Sequence, residues 1–268
     1  MSPFLSRHER FAVVESTNDV VRGWLADGTP EVCLAVADEQ TAGRGRDGRS
    51  WTAPAGAALL LSLGFRPTAI RPDRLWQLAA IVALAMAEAG EAIAALPEGT
   101  ILLKWPNDLV VEVDDGVRKL AGVLGETDGV GSDDPRAVIG IGINGDWPRS
   151  DFPDELASAM TSLRELHGRP VDHDALLDAF LARLEPRVAG LRDGRFDGPG
   201  WEGRQVTTGL DVDLIGPDGG RTTVLATGVD VESGALLTDA GPVLVGEIAH
   251  VRLTGPVVAP GLGTRVGV

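Results

Sequence analysis

The spacing of hydrophobic and polar positions predicts strands and helices in alternation along most of the chain. Short apolar runs bounded by polar residues are typical of buried strands, whereas apolar residues three or four positions apart indicate helices. The predicted strands cover 11–14, 32–37, 57–65, 100–105, 110–113, 118–126 and 138–143. The predicted helices cover 20–28, 74–95, 154–167 and 174–191.

The pattern changes after Arg192. Residues 193–200 have the composition of a linker or turn, and short β segments follow over 205–253. Turns rich in glycine, proline and aspartate separate these segments, which is typical of a small β-barrel. We therefore predict a mixed α/β domain over residues 1–195 and a small β-barrel domain over residues 200–268.

The composition is that of an ordinary soluble globular protein, with 44% hydrophobic and 24% charged residues. The formal net charge of −15 and the pI near 4.6 oppose binding to a phosphate backbone, so we expect no nucleic-acid partner. A site for an anion must then rely on local arginines. The single cysteine, Cys33, excludes an internal disulfide framework and suits a reducing compartment.

The sequence also predicts where the protein acts. Residues 1–10 are polar and charged, unlike a secretory leader. The longest apolar run, 75–89, is interrupted by Gln77 and Glu88 and is shorter than the roughly 20 residues of a spanning helix, so we expect a buried helix. These features predict a cytoplasmic protein without a membrane partner.

The segment 38–51, DEQTAGRGRDGRSW, combines alternating glycines and arginines with one tryptophan. Glycine leaves backbone N–H groups accessible, and a guanidinium presents a fixed fork of donors to carboxylate or phosphate oxygens. Trp51 adds a flat face for a ring. The segment predicts a binding loop for an anionic, aromatic ligand, and the alternative is a solvated surface loop. Asp47 places a carboxylate among the arginines, and the sequence assigns it no role.

Other polar residues gather near the ends of the predicted elements. Ser16, Thr17 and Asn18 precede the first helix, although one residue is sufficient to cap it. Further candidates on or beside strands are Lys104, Asn107, Asp108, Lys119 and Asn144. Each alone has an ordinary interpretation as a solvated lysine or a turn residue. The four histidines are scattered and form no metal-ligand pattern.

Taken together, five segments resemble the biotin–protein ligase family, also called biotin–acetyl-CoA-carboxylase ligase. In family order they are ESTN (15–18), DEQTAGRGRDGRSW (38–51), KWPNDL (104–109), KLAG (119–122) and GIGIN (140–144). Two later segments, SGALL (233–237) and VGEI (245–248), resemble the family's small terminal barrel. The resemblance implies an α+β fold, with a catalytic domain like that of class II aminoacyl-tRNA synthetases and an SH3-like barrel. It also implies ATP-dependent activation of biotin to biotinyl-AMP, followed by transfer to a lysine of an acceptor protein.

The same resemblance implies roles for individual residues. The implied biotin contacts are Ser16, Thr17, Asn18, Gln40, Arg44, Gly45, Arg46 and Lys119. The implied contacts of ATP and the adenylate are Arg46, Arg49, Trp51, Asn107 and Asn144. Lys119 and Arg44 are the implied catalytic residues, because joining a carboxylate to an α-phosphate brings two anions together. Mg²⁺ is implied with ATP, and Asp108 is a candidate ligand for it.

Two other functions stay open at this point. A lipoate or octanoate ligase or transferase has a related fold, but the Gly-rich R-x-x-GGG segment expected there is absent from the chain. A non-catalytic biotin-binding module is the second, and the presence of Lys119 together with the arginine loop argues against it. Many bacterial members carry an N-terminal DNA-binding domain. Because the resemblance begins near residue 10, we expect the form without that domain, with a carboxylase acceptor domain as its protein partner.

Overall fold

The computed structural model describes residues 4–114, 116–216, 218–245 and 250–253. Its strands are β1 (Arg7–Val14), β2 (Cys33–Gln40), β3 (Ala58–Phe65), β4 (Ile101–Lys104), β5 (Asp108–Val113), β6 (Gly116–Asp128), β7 (Arg136–Asn144), β8 (Asp211–Ile215), β9 (Arg221–Val229), β10 (Leu236–Thr238), β11 (Gly241–Val243) and β12 (His250–Leu253). Its helices are α1 (Thr17–Ala26), α2 (Trp76–Ile93), α3 (Leu163–His167), α4 (His173–Arg192) and α5 (Gly198–Gly203).

Strands β1 to β7 form one sheet in the order β1-β2-β3-β7-β6-β5-β4. Strands β1 and β2 are parallel, and every other neighbouring pair is antiparallel. Successive side chains of β2 point to opposite faces of the sheet, as the pleat of a strand requires. Cys33 and Ala35 pack with α1, whereas Leu34 and Val36 belong to the main core with α2. The sheet therefore lies between α1 on one face and α2 on the other.

Strand β1 begins at Arg7, four residues before the apolar run that predicts it. It lies at the edge of the sheet, and its residues are half-buried or exposed. An edge strand needs no apolar pattern to pair with its neighbour, so polar residues at 7–10 extend it.

Helix α2 is the buried helix expected from the apolar run. With the preceding turn, Pro72–Ile93 spans 22 residues and is long and apolar enough to cross a membrane by length and composition alone. The expectation that the run is too short for a bilayer is therefore wrong. The fold accounts for the apolar character of this helix, because 72% of its most apolar 18-residue stretch is buried inside the protein.

The predicted helix over 154–167 is wrong for most of its length, because only Leu163–His167 is helical. The Ser162 side chain caps this short helix by accepting a hydrogen bond from Glu165 N at 3.2 Å. The backbone before it is engaged elsewhere: Lys119 N donates to Ala159 O at 2.8 Å, and Thr161 N donates to Lys119 O at 2.9 Å. A helical pattern in the sequence was overridden by pairing with a distant strand.

Strands β8 to β12 form a second, antiparallel sheet in the order β11-β10-β9-β8-β12. Four of these five strands have three to five residues, as the turn spacing predicts, whereas β9 has nine. The linker predicted over 193–200 is wrong for its last three residues, which are helical and begin α5. The Asp197 side chain caps this helix by accepting from Gly200 N at 3.0 Å. Closure of this sheet into an SH3-like barrel stays a prediction. Within VGEI (245–248), residues 246–248 lie outside the described residues.

A buried ion pair joins the two parts of the fold. The Arg204 guanidinium, just after α5, donates to the Glu91 carboxylate of α2 at 2.7 and 3.0 Å and to Ile101 O at 2.8 Å. Glu91 also accepts from Ile101 N at 2.9 Å. Only 10% of the Arg204 side chain and 5% of the Glu91 side chain are exposed. The segment after α5 is thus tied to both α2 and β4.

Candidate active site

A cavity of about 120 Å³ lies between the sheet and the segment 43–51, which we call the binding loop. We call this space the loop cavity. Of the residues predicted from the sequence, it is lined by Ser16, Thr17, Asn18, Gln40, Arg44, Gly45, Arg46, Arg49, Trp51, Asn107, Asp108 and Lys119. Residues up to 126 positions apart in the numbering therefore converge, since Ile141 and Gly142 of β7 line the same space as Ser16.

One end of the loop cavity is neutral and polar. Thr17 donates to Gln40 Oε1 through its backbone N at 2.8 Å and through its hydroxyl at 2.9 Å. Ser62 Oγ lies 2.7 Å from Thr17 Oγ1 and 2.5 Å from Asn18 Oδ1, and Asn18 Nδ2 donates to Glu126 Oε2 at 2.7 Å. These buried groups orient one another, so this end is preorganised for a neutral ligand group with both donors and acceptors.

The capping interpretation of the residues before α1 is not supported for Ser16. It occupies the N-cap position of α1, but its side chain makes no capping hydrogen bond. Ser62 and Glu126 are functional neighbours that the sequence reasoning missed. A lone serine within the apolar strand ALLLSLGF is the signal from which Ser62 could have been predicted.

The binding loop is a short hairpin closed by its own backbone. Gly45 N donates to Arg49 O at 2.7 Å, and Trp51 N donates to Gly43 O at 2.9 Å. A Cβ atom at Gly43 would lie 2.4 Å from Trp51 O, so this close approach requires glycine. Asp47 sits at the tip in the left-handed region, with φ of 56°.

Two arginines of the loop are anchored in different directions. Arg44 makes a bidentate ion pair with Asp19 of α1 at 2.6 and 2.8 Å, and this hydrogen bonding lowers the pKa of Asp19. Arg46 donates to the carbonyl oxygen of Val245 at 2.9 Å, and burial lowers the pKa of its guanidinium. The loop is thus fastened to α1 on one side and to the C-terminal part on the other.

Trp51 packs directly on the backbone of β6 and β7. A Cβ at Gly142 would lie 2.6 Å from the indole atom Cε2 of Trp51, and one at Gly122 would lie 3.2 Å from its Cζ3. The Lys119 ammonium lies 5.5 Å from the ring centroid, within the range of a cation–π interaction. The sequence placed Trp51 beside a ligand ring, and the structure places it in the wall of the loop cavity.

A cluster of one carboxylate and two ammonium groups closes the charged end. Asp108 Oδ1 lies 2.6 Å from Lys119 Nζ, and Asp108 Oδ2 lies 3.9 Å from Lys104 Nζ. Burial lowers the pKa of Lys104, whose side chain is only 12% exposed. Lys119 is 35% exposed, so its ammonium is the more accessible of the two.

A second cavity, of about 420 Å³, shares Trp51, Asp108 and Lys119 with the first. We call it the 156–160 cavity because Leu156, Ala159 and Met160 line it. The sequence reasoning missed these three residues, since it assigned them to a helix. Their position follows from the pairing of residues 159–161 with Lys119, which no local pattern reveals.

The two predicted asparagines have different surroundings. Asn107 lines the loop cavity and donates from Nδ2 to Val123 O at 3.1 Å. Asn144 is fully buried, and its Nδ2 donates to Thr161 O at 2.9 Å. Asn144 Oδ1 has no hydrogen-bond partner among the residues that the structure describes. Asn144 therefore holds the segment that lines the 156–160 cavity and keeps one acceptor unused.

The donor set does not fit a metal ion held by the protein. Within the described part of the chain, no group of three or more His, Cys, Asp or Glu side chains is arranged to hold a metal. Asp108, the candidate ligand for Mg²⁺, is already paired with Lys119 and has a second ammonium beside it. Mg²⁺ prefers oxygen ligands in a near-octahedral arrangement, which these residues do not supply.

Comparison with known proteins gives a consistent set of similarities. Residues 10–144 match the Biotin/lipoate A/B protein ligase family. The chain is 35% identical over 175 residues to the Bifunctional ligase/repressor BirA of Bacillus spizizenii, an alignment that covers 65% of this chain and 51% of that protein. It thus spans about half the length of this bifunctional relative.

Two further similarities extend over nearly the whole chain. The Biotin–[acetyl-CoA-carboxylase] ligase of Mycobacterium tuberculosis is 31% identical over 244 residues, covering 88% of this chain and 86% of that protein. A solved structure of the biotin protein ligase from Aquifex aeolicus in complex with biotin and ATP superimposes with a TM-score of 0.74 and 28% identity. That superposition covers 92% of this chain and 99% of the other.

Proposed function

The chain belongs to the biotin/lipoate A/B protein ligase family, and from that premise we propose that it activates biotin with ATP and attaches it to a protein. The product of the first step is biotinyl-AMP, and the second step transfers biotin to a lysine of an acceptor domain, such as the carrier domain of a carboxylase. The observation that carries this proposal is the loop cavity, which joins a neutral polar end at Thr17 and Gln40 to a cationic end at Lys119.

The two ends of the loop cavity suit the two ends of biotin. The ureido ring offers adjacent N–H and C=O groups, which the hydrogen-bonded set of Thr17, Asn18 and Gln40 complements. The carboxylate at the other end is directed to Lys119. The binding loop covers the ligand, with Arg44 and Gly45 over biotin. Ser16 completes the biotin site at the start of α1.

Adenylation requires two anions to meet. The biotin carboxylate oxygen attacks the α-phosphorus of ATP, and pyrophosphate leaves. Lys119 and Arg46 offset the negative charge that accumulates between the carboxylate and the phosphate, which preorganised cations do at little reorganisation cost. Positioning and charge stabilisation are sufficient for such an in-line displacement, so no covalent intermediate with the protein is needed.

The 156–160 cavity is the proposed site for the adenine ring. Trp51 supplies a flat wall, and Leu156 and Met160 supply apolar surface beside it. Arg49 borders both the loop cavity and the 156–160 cavity, and there its guanidinium binds the phosphates of ATP. Asn107 borders the loop cavity beside the adenylate, and the buried Asn144 contributes to the adenylate site by holding Thr161 O in place. Mg²⁺ accompanies ATP as its counter-ion, without a ligand set of its own among the residues that the structure describes.

In the second step the neutral amine of the acceptor lysine attacks the acyl carbon of biotinyl-AMP. An amide forms, AMP leaves, and the amine loses one proton. We assign adenylation to the domain over residues 1–195. Residues 200–268 form the second domain, for which we propose an SH3-like barrel. The whole reaction takes place in the cytoplasm.

Release of pyrophosphate tests the proposal against its alternatives. The purified chain, given ATP and biotin, is expected to release pyrophosphate in proportion to the biotin consumed, as measured by a coupled phosphate assay. Lipoate or octanoate in place of biotin is expected to give only background release, because neither carries a ureido group for Thr17 and Gln40. Release with lipoate but not biotin would favour the related ligase, and no release with either would favour a non-catalytic binding module.

The binding loop is expected to become more ordered when the adenylate binds. Its glycines lower the cost of opening, and the Arg44–Asp19 pair that holds it is more than a third exposed and therefore contributes little. Limited trypsin digestion at Arg44, Arg46 and Arg49 should therefore slow markedly with biotinyl-AMP, whereas cleavage at the surface residue Arg195, which precedes Phe196, should be unchanged. Equal cleavage rates within the loop with and without biotinyl-AMP would contradict this prediction.

A further inference from the structure

A third cavity, of about 220 Å³, lies between α2, β4, β6 and α5. Its walls include the indole rings of Trp76, Trp105 and Trp201, and we call it the tryptophan cavity. The centroids of the Trp76 and Trp201 rings are 4.8 Å apart, so the aromatic wall is continuous. The ligase reaction described above uses none of these three residues.

Two buried polar atoms on residues lining this cavity have no hydrogen-bond partner in the described part of the structure. They are the acceptor Gln205 Oε1 and the donor Trp76 Nε1. Gln205 is only 8% exposed. Leaving a buried polar group unpaired is unfavourable, so a bound molecule that pairs with both atoms is stabilised in this cavity.

We propose that the tryptophan cavity is a second binding site, for a small neutral aromatic carboxamide. A carboxamide places an N–H donor beside a C=O acceptor, which suits Gln205 Oε1 and Trp76 Nε1 together. An aromatic ring packs on the indole walls, where offset or edge-on contact between rings is favourable. A known engineered cavity of about 150 Å³ holds benzene, so the tryptophan cavity has room for a substituted ring.

The charged groups at one end of the cavity favour a neutral ligand. Arg46 and Lys104 disfavour a cation there, and a carboxylate has no donor for the unpaired acceptor Gln205 Oε1. Arg46 and Asp108 also line the loop cavity, so the two cavities meet at these residues. Gln205 and Trp76 border only the tryptophan cavity of the three described above. A ligand held by Gln205 and Trp76 is therefore separable from the proposed ligase site.

Isothermal titration of the full chain with benzamide tests this proposal. We expect one saturable site for benzamide and about tenfold weaker binding of acetophenone, which has the same shape and carbonyl group but no N–H donor. Gln205→Met should weaken benzamide binding about tenfold while leaving biotin affinity unchanged. Its melting temperature should equal or exceed that of the wild type, because the unpaired acceptor is removed.

Trp76→Phe provides a second, independent variant, since it removes the donor and keeps an aromatic wall. It should also weaken benzamide binding and leave biotin binding unchanged. If the cavity holds only water, the titration should show no saturable binding of benzamide. Absence of binding, equal affinity for benzamide and acetophenone, or an unchanged affinity in both variants would overturn the proposal. Failure of the ligase proposal would not affect this result, because the titration contains no ATP and requires no turnover.

Discussion

Replacing Lys119 with alanine is expected to slow the formation of biotinyl-AMP by about 10²–10³-fold, the usual cost of losing one preorganised donor to a developing charge. Biotin binding should weaken much less, because the ureido contacts proposed for Thr17 and Gln40 do not involve Lys119. The ammonium is accessible in the loop cavity and is oriented by Asp108 at 2.6 Å. Single-turnover formation of the adenylate, scored separately from transfer, measures this step.

Two matched variants sharpen the Lys119 test. Lys119→Arg should restore activity only partly, because a planar guanidinium does not replace a compact ammonium beside Asp108. Arg118→Ala removes a cation from the position of β6 adjacent to Lys119. The Arg118 side chain points to the opposite face of the sheet, so this variant should form the adenylate at near the wild-type rate. Adenylation by Lys119→Ala at close to the wild-type rate would show that the assigned role is wrong.

Replacing Glu91 with alanine is expected to lower the free energy of unfolding by about 3–5 kcal/mol, because it leaves the buried Arg204 guanidinium unpaired. The same change removes the acceptor for Ile101 N and loosens the junction between α2, β4 and the segment after α5. Equilibrium unfolding in urea, followed by tryptophan fluorescence, gives the free energy.

The exposed pair Arg71–Asp73 supplies the control for this measurement. Its side chains are 70% and 58% exposed, so Asp73→Ala should cost no more than about 1 kcal/mol. Replacing Glu91 and Arg204 together with apolar residues should recover much of the loss, because no buried charge is then left alone. A Glu91→Ala variant as stable as Asp73→Ala would mean that the junction does not depend on this pair.

Local sequence patterns were sufficient for the buried strands and the main helices. The run at Ala58–Phe65 is apolar throughout because β3 lies inside the sheet, and such a run predicts a strand without knowledge of its partners. The position of the binding loop was equally predictable, because its glycines and arginines lie between two predicted strands. These features depend on residues that are adjacent in the chain.

The features that the sequence did not reveal depend on distant pairings. Residues 159–161 lie beside Lys119 because the backbones of Ala159 and Thr161 hydrogen-bond to the backbone of Lys119. This pairing overrides the helical pattern of the local sequence. Ser62 becomes part of the site only because β3 lies under Thr17 and Asn18. The pairing of Asp108 with Lys119 likewise depends on the register of β5 against β6. Tertiary contacts of this kind decide which polar residues converge.

Transfer of biotin to a purified acceptor domain tests the proposed function most directly. The chain, ATP, biotin and the biotin carrier domain of a carboxylase are incubated together, and the acceptor is then analysed by intact mass and peptide mapping. The chain itself contains only two lysines, Lys104 and Lys119, so modification of the chain and of the acceptor is readily distinguished. We expect the acceptor to gain one biotinyl group on a single lysine, only when ATP is present, and Lys119→Ala to reduce the rate strongly. An acceptor whose mass is unchanged after prolonged incubation with the active, folded chain would contradict the proposed function.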